Sequence, residues 1–166
     1  MKILGVDPGL LVTGYAVVEI PEGRFENGQI ELVEAGIVRT QGPADGIAAR
    51  LKKIYDSLSE LISETRPAVL VIERLYAHYK HPATAILMGH ARGVVCLLSG
   101  TYEVPLYSMA STHVKKAVTG AGHASKEQVQ RMIKSILGLK KIPEPADAAD
   151  AIAIALAFAF NRKIKK

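Results

Sequence analysis

The sequence is poor in cysteine and has no long apolar run, and both shortages exclude classes of protein. Cys96 is the one cysteine among 166 residues, so no disulfide can form within the chain. This is typical of proteins from a reducing compartment. The longest apolar run, 151–160, has ten residues, whereas a membrane-spanning helix needs about 20. Strand-like sequence begins at Lys2 and leaves no room for a signal peptide. We therefore expect a soluble cytoplasmic protein, in which Cys96, within the apolar run 94–98, is a small residue of the core.

Acidic residues are scarce in one basic stretch, residues 113–141. Glu127 is the one acid there, against seven lysines and arginines, which are Lys115, Lys116, Lys126, Arg131, Lys134, Lys140 and Lys141. The segment 19–34 has the reverse balance, with five glutamates against Arg24. With a net charge of +5, this distribution favours an anionic partner that meets the basic stretch, without identifying that partner.

Hydrophobic periodicity predicts an α/β fold. The chain has no repeats and no linker, and its 49% hydrophobic and 22% charged residues are typical of one globular domain, residues 1–166. Alternating apolar residues and short polar turns predict an antiparallel meander of three strands, followed by helices that alternate with two more strands. The predicted strands are 2–7, 13–20, 29–38, 68–72 and 104–107, and the predicted helices run from Ile47 to before Pro67 and over 83–99, 111–118, 126–137 and 146–160. This order predicts a mixed five-stranded sheet flanked by helices.

The last of these helices has a pattern that mimics a strand. Bulky residues alternate with alanine from Ile152 to Phe160, as they would on a strand with one bulky face. Alanine is a poor strand residue and the best helix former, however. The length of the segment also favours a helix that is packed on all sides, so we predict a helix.

Two acidic residues end apolar strands. Asp7 is the last residue of the first strand and shares a face with Ile3 and Gly5, and Glu73 follows the strand 68–72. Asp7 has an alternative role as a capping residue of the turn at Pro8. If the two strands are parallel neighbours, the two carboxylates converge at the edge of the sheet where open α/β sheets bind ligands.

Two more acids begin the last helix. Asp147 and Asp150 are three residues apart and project from one helical face that continues toward the core. The alternative is that they only stabilise the positive end of the helix, which contributes about 0.3–1 kcal/mol each. Four carboxylates in one place repel one another unless cations neutralise them. Oxygen ligands without cysteine favour Mg²⁺ or Mn²⁺, and two such ions form the clamp used for displacement at a phosphodiester.

Four stretches of the chain together form a specific pattern. They are Ile3-Leu4-Gly5-Val6-Asp7-Pro8-Gly9 with Thr13-Gly14-Tyr15, then Val71-Ile72-Glu73, then Gly89-His90-Ala91-Arg92-Gly93-Val94, and finally Ala146-Asp147-Ala148-Ala149-Asp150-Ala151-Ile152-Ala153. In this order they resemble the RuvC family of bacterial Holliday-junction endonucleases, which have the ribonuclease H-like nuclease fold, and the resemblance covers nearly the whole chain. The Asp-Pro-Gly sequence alone is a weak signal, whereas the four stretches together are specific.

The resemblance implies a Mg²⁺-dependent hydrolase that resolves four-way DNA junctions by paired nicks and leaves 5′-phosphate and 3′-hydroxyl ends. The residues implied to bind two metal ions, which Mn²⁺ can replace, and to activate water are Asp7, Glu73, Asp147 and Asp150. Some relatives carry histidine at the position of Asp147. The resemblance also implies that Lys115 and Lys126 contact DNA and stabilise the developing phosphate charge.

The resemblance further implies a role for Tyr76 and a set of partners. Relatives place an aromatic residue, often phenylalanine, at the position of Tyr76 and use it at the junction centre, and tyrosine also stacks on bases. His78 and His81 lie nearby but supply too few ligands for a zinc site. The family forms homodimers through the helix that carries Gly89 and Gly93, and it works with the branch-migration proteins RuvA and RuvB.

Three other classes of protein fit the sequence less well. Ribonuclease H-like nucleases that trim ribosomal RNA precursors tend to be shorter and lack the paired acids of Asp147-Ala148-Ala149-Asp150. Actin-like ATPases need a second domain to close over ATP, and this chain is too short to supply one. A non-catalytic junction-binding module has no need of four clustered acids, which would weaken DNA binding.

Overall fold

The computed structural model describes residues 1–21, 29–40, 46–75 and 82–162. These residues form five strands and five helices. The strands are β1 Lys2–Asp7, β2 Val12–Glu19, β3 Glu31–Arg39, β4 Val69–Glu73 and β5 Leu106–Met109, and the helices are α1 Ile47–Thr65, α2 Pro82–Thr101, α3 Ser111–Thr119, α4 Lys126–Ile136 and α5 Ala146–Arg162.

The strands form one mixed sheet in the order β3-β2-β1-β4-β5. The first three strands pair antiparallel, and β4 and β5 continue the sheet parallel to β1. The predicted fold class is therefore confirmed. The last strand begins two residues later than predicted, because the N–H and C=O of Val104 bind Ser99 and close the turn after α2 instead of pairing with β4.

Each face of the sheet is covered by a hydrophobic cluster. Leu4, Val6 and Leu70 point toward α1 and α2, whereas Ile3 and Val71, on the opposite face, point toward α3, α4 and α5. The alternation of side chains along each strand produces this division. Residues of β1 that lie on the same face as Ile3 therefore face the three C-terminal helices.

Helix α5 lies across β1 and β2 and is buried along most of its length. Its alternating alanines make it a narrow helix, so its backbone approaches the sheet closely. The helix prediction for this segment is confirmed. No helix among the described residues is long and apolar enough to cross a membrane.

The prediction for Cys96 was wrong. Helix α2 buries Ala91, Val95 and Leu98 against the sheet, and Cys96 lies on the opposite, exposed face. The apolar run 94–98 turns through more than one helical face, so a run of apolar residues does not place each of them in the core.

Candidate active site at the carboxyl ends of β1 and β4

The pairing of β1 with β4 brings Asp7 and Glu73 to one edge of the sheet. Val6 lies opposite Ile72 in the parallel register, and Asp7 and Glu73 are the next residues of the two strands. Because side chains alternate, both acids point to the face that α3, α4 and α5 cover. The predicted convergence of these two acids is thus what the sheet produces.

Two glycines let α5 approach this edge. A β-carbon added at Gly14 would overlap the backbone carbonyl of Asp147, and one added at Gly5 would overlap the carbonyl of Ala151 and lie 2.8 Å from the nitrogen of Ala155. The strand backbone and the helix backbone are therefore in direct contact. Sequence reasoning did not assign this role, although a glycine inside a strand is itself a signal of close approach by another backbone.

A cavity of about 200 Å³ lies where these elements meet. Its polar lining residues are Asp7, Glu73, Asp150, Ser111, Lys115 and Lys126. Three of the four predicted acids and both predicted lysines therefore line one cavity. The fourth acid, Asp147, is half-buried and does not line it, but its charge acts on Asp7 and Lys126.

The charge of Asp7 is strongly disfavoured in this cavity. Burial and then the neighbouring carboxylates of Asp150, Glu73 and Asp147 raise the pKa of Asp7 from 3.8 to about 7, against the opposing effect of Lys126. Burial also raises the pKa of Glu73, and here Ser111 and Lys115 act in the opposite direction. Any cation that enters the cavity therefore stabilises the charged forms of Asp7 and Glu73.

The two lysines approach the acids from different helices. The ammonium group of Lys126 donates a hydrogen bond of 2.7 Å to Asp150 Oδ2, and this contact raises the pKa of Lys126. Lys126 is the first residue of α4, and Ser125 and Gln128 fix that end of the helix as a capping box. Lys115, on α3, acts on the Glu73 carboxylate.

Two threonines hold the turn that follows Asp7. The buried Thr13 hydroxyl donates to the carbonyl of Gly9 at 2.7 Å, and the buried Thr40 hydroxyl donates to the carbonyl of Leu10 at 2.7 Å. The strand end that carries Asp7 is thereby tied to β2 and to the end of β3. Sequence reasoning missed both threonines. Thr40 lies 30 residues from Leu10 along the chain, so no local pattern relates the two, whereas the Thr13 contact is local and joins residues four positions apart.

The donors in the cavity fit a hard metal ion by their chemistry, since Asp7, Glu73 and Asp150 supply only carboxylate oxygens. Among residues 1–21, 29–40, 46–75 and 82–162, no three Asp, Glu, His or Cys side chains are grouped as a ready-made metal cage. Tyr76, together with His78 and His81, lies outside the described residues, so its predicted DNA contact remains a prediction.

The order of the sheet and the acidic cavity at the ends of β1 and β4 define a protein with the ribonuclease H-like fold. The sequence profile of one family with this fold, described as Crossover junction endodeoxyribonuclease RuvC, matches residues 3–158. The chain belongs to the RuvC family. Nucleases of this family are metal-dependent in general.

Individual relatives are similar over nearly the full length of the chain. The crossover junction endodeoxyribonuclease RuvC of Rhodopirellula baltica is 45% identical over 93% of this chain and 83% of its own length. The RuvC of Pseudothermotoga lettingae is 40% identical over 100% of this chain and 98% of its own. The structure of Thermus thermophilus RuvC in complex with Holliday junction substrate matches with a TM-score of 0.91 at 33% identity, covering 99% of this chain and 96% of that chain.

Proposed function

We propose that this protein is a metal-dependent endonuclease that resolves four-way (Holliday) DNA junctions by paired symmetric nicks during recombination and repair. The observation that carries the proposal is the cavity in which Asp7, Glu73 and Asp150 meet Lys115 and Lys126. It occurs in a chain of the RuvC family, and the T. thermophilus relative has been solved with a Holliday junction substrate.

Asp7, Glu73, Asp147 and Asp150 are proposed to hold two Mg²⁺ ions, which Mn²⁺ can replace. When bound, the metal supplies Lewis acidity at the phosphate and a water of lowered pKa. Because its pKa is raised to about 7, the Asp7 carboxyl would release a proton on binding a cation near neutral pH. Asp147 lies outside the cavity lining and acts on Asp7 through its charge.

Lys126 and Lys115 are proposed to bind the scissile phosphate. Lys126 neutralises Asp150, and its side chain remains half exposed. When substrate and metal bind, the phosphate becomes a stronger partner for Lys126 than Asp150 is, and the cation becomes a stronger partner for Asp150 than Lys126 is. The attacking water oxygen forms a bond to phosphorus while the bond to the 3′ oxygen breaks, and that oxygen leaves with a proton as a 3′-hydroxyl.

The decisive experiment is the cleavage of a synthetic, end-labelled four-way junction beside a linear duplex of the same sequence. With Mg²⁺ we expect symmetric nicks in the junction alone, and none with EDTA. Because metal-assisted chemistry needs the ion and junction selectivity needs the branched shape, both controls are informative. Tight junction binding without cleavage, over varied sequences and with both Mg²⁺ and Mn²⁺, would identify a binding module instead.

The proposal includes a homodimer, since paired nicks on two strands require two active sites. Helix α2 presents an exposed apolar face on which Ile86 is 62% and Leu97 60% exposed. Gly89 and Gly93 lie on the same helix with open space where a β-carbon would stand, so a second helix can approach there.

By the family resemblance, RuvA and RuvB are further partners, and the cytoplasm is the proposed location.

Leu97→Glu is expected to convert this dimer into a monomer, because it places two charges at an apolar two-fold contact. Sedimentation should then show half the wild-type mass, and junctions should receive single nicks at unlinked times rather than paired cuts. Val33→Glu, at a 41% exposed apolar residue of β3, is the matched control and should leave the mass unchanged. A Leu97→Glu protein with the wild-type mass and paired cuts would exclude α2 as the interface.

A further inference from the structure

Arg92 connects helix α2 to the strand end that carries Glu73. Its guanidinium donates one hydrogen bond of 2.7 Å from Nη1 to the backbone carbonyl of Glu73, and a second of 2.8 Å from Nη2 to Ser108 Oγ on β5. Arg92 is half-buried, between the fully buried Ala91 and the exposed Gly93. One side chain therefore spans a helix and two neighbouring strands.

The carbonyl of Glu73 needs this donor because of Pro8. Along β4, the N–H groups of Leu70 and Arg74 point to β5, where they bind the carbonyls of Pro105 and Met109. The backbone of Glu73, one residue before Arg74, therefore points to β1. In the parallel register its carbonyl would accept a hydrogen bond from the residue after Asp7, and that residue is Pro8, which has no N–H. Arg92 supplies the donor that the ladder lacks.

The contact fixes the position of Glu73 without neutralising it. The Glu73 carboxylate points to the face of α3 and α5, where it lines the acidic cavity. Arg92 reaches the strand from α2, which covers the other face through Ala91, Val95 and Leu98. The Arg92 guanidinium thus binds the backbone carbonyl of Glu73 from one face of the sheet. The Glu73 carboxylate, on the other face, remains available to a cation.

We propose that Arg92 is a positioning residue for metal binding: it holds the end of β4 so that the Glu73 carboxylate stands at the proposed metal site. This inference rests on the proposed function of Glu73 as a metal ligand. It also makes the position of Glu73 depend on α2, whose opposite face is the proposed dimer surface.

The test is direct binding of Mn²⁺, measured from the EPR signal of the free ion. Arg92→Gln is expected to raise the dissociation constant for Mn²⁺ by about 10-fold or more, since groups that orient metal ligands typically affect affinity by 10–100-fold. The Mg²⁺ concentration for half-maximal junction cleavage should rise by a similar factor, while junction binding without metal should stay unchanged. Arg92→Lys, which keeps the charge and one donor, is expected to show a smaller rise.

Arg74→Gln is the matched control, because it removes the same charge one residue from Glu73 without touching its carbonyl. It should leave Mn²⁺ binding unchanged. Wild-type Mn²⁺ affinity in folded Arg92→Gln would overturn the inference. A loss of cleavage that is explained by lowered thermal stability alone would also overturn it. If Arg92→Gln does not fold, the Mn²⁺ affinity of Arg92→Lys is the deciding measurement: a raised dissociation constant supports the inference, and the wild-type value overturns it. A wild-type protein that cleaves no junction would instead overturn the proposed function.

Discussion

Asp7→Asn is expected to abolish junction cleavage while junction binding survives. The Asp7 carboxyl interacts with all three other acids of the proposed metal site, so the amide removes the charge on which cation binding most depends. Loss of one electrostatic stabiliser in an active site typically costs 10²–10³-fold in rate, and we expect a decrease of roughly 10³-fold or more. The measurement is single-turnover cleavage of a labelled four-way junction with Mg²⁺, beside a gel-shift titration without metal.

Asp56→Asn is the matched control for this substitution. It makes the same change of charge and shape on α1, where Asp56 is exposed and paired with Lys52, and an exposed pair of this kind contributes only about 0.3–0.5 kcal/mol. Cleavage by Asp56→Asn should equal that of the wild type. Wild-type cleavage by Asp7→Asn would remove Asp7 from the active site.

The same substitution should stabilise the metal-free protein at neutral pH. The pKa of Asp7 is raised from 3.8 to about 7, so between about pH 4 and pH 7 the folded state holds a proton that the unfolded state has lost. Each rise of one pH unit within this range lowers the free energy of unfolding by about 1.4 kcal/mol, which amounts to roughly 4 kcal/mol between about pH 4 and pH 7. Asparagine does not titrate, so Asp7→Asn should match the wild type near pH 4 and exceed it above pH 7.

Chemical denaturation in EDTA, at intervals from about pH 4 to pH 8, measures this difference. The difference between the two proteins reports the titration of Asp7 together with its interactions with Glu73, Asp147 and Asp150, since acids elsewhere in the chain titrate alike in both. A difference that does not change with pH would show that the Asp7 carboxyl is not held neutral in the cavity.

Gly14→Ala is expected to have the second-largest effect, because its β-carbon would overlap the carbonyl of Asp147 on α5. Either α5 or β2 must shift, and overpacking of this kind typically costs about 1–3 kcal/mol of stability. The shift would also move Asp150 away from Asp7 across the cavity. Since a displacement of about 1 Å in an active site can cost about 10²-fold in rate, cleavage should fall by roughly that factor.

Gly46→Ala provides the control for this prediction. Gly46 precedes α1, away from α2 and α5, with open space where the β-carbon would stand, and a change of this size at a helix N-cap alters stability by about 1 kcal/mol or less. Gly46→Ala should therefore be nearly as stable as the wild type and equally active. A Gly14→Ala protein with unchanged stability and rate would mean that α5 does not depend on close contact with β2.

Much of the fold and most of the candidate site could be predicted from local patterns. Each strand and helix has its own periodicity, and acids at strand ends or within one helical turn are visible in a short window. For this reason Asp7, Glu73 and Asp150 were identified from the sequence, and the structure brings them to one cavity. Their role as metal ligands remains the proposal that the cleavage experiment tests.

Other features depend on which surfaces meet, and local patterns do not report that. Cys96 is exposed because only one face of α2 is covered, although its neighbours in sequence are as apolar as core residues. Asp147 and Asp150 are equivalent in sequence, but the seating of α5 against Gly14 directs only Asp150 into the cavity. The contact of Arg92 with Glu73 also joins two elements with no shared sequence pattern.

The sequence by itself therefore determined the identity and order of the elements, the family, and the acids that end β1 and β4. The tertiary structure decided which of these side chains share a cavity, which lysine neutralises which acid, and what holds the strand ends in place. The physical reason is that periodicity and propensity act only between residues that are close together along the chain. Distances between carboxylates, and hence the raised pKa of Asp7, arise only when packing brings remote segments together.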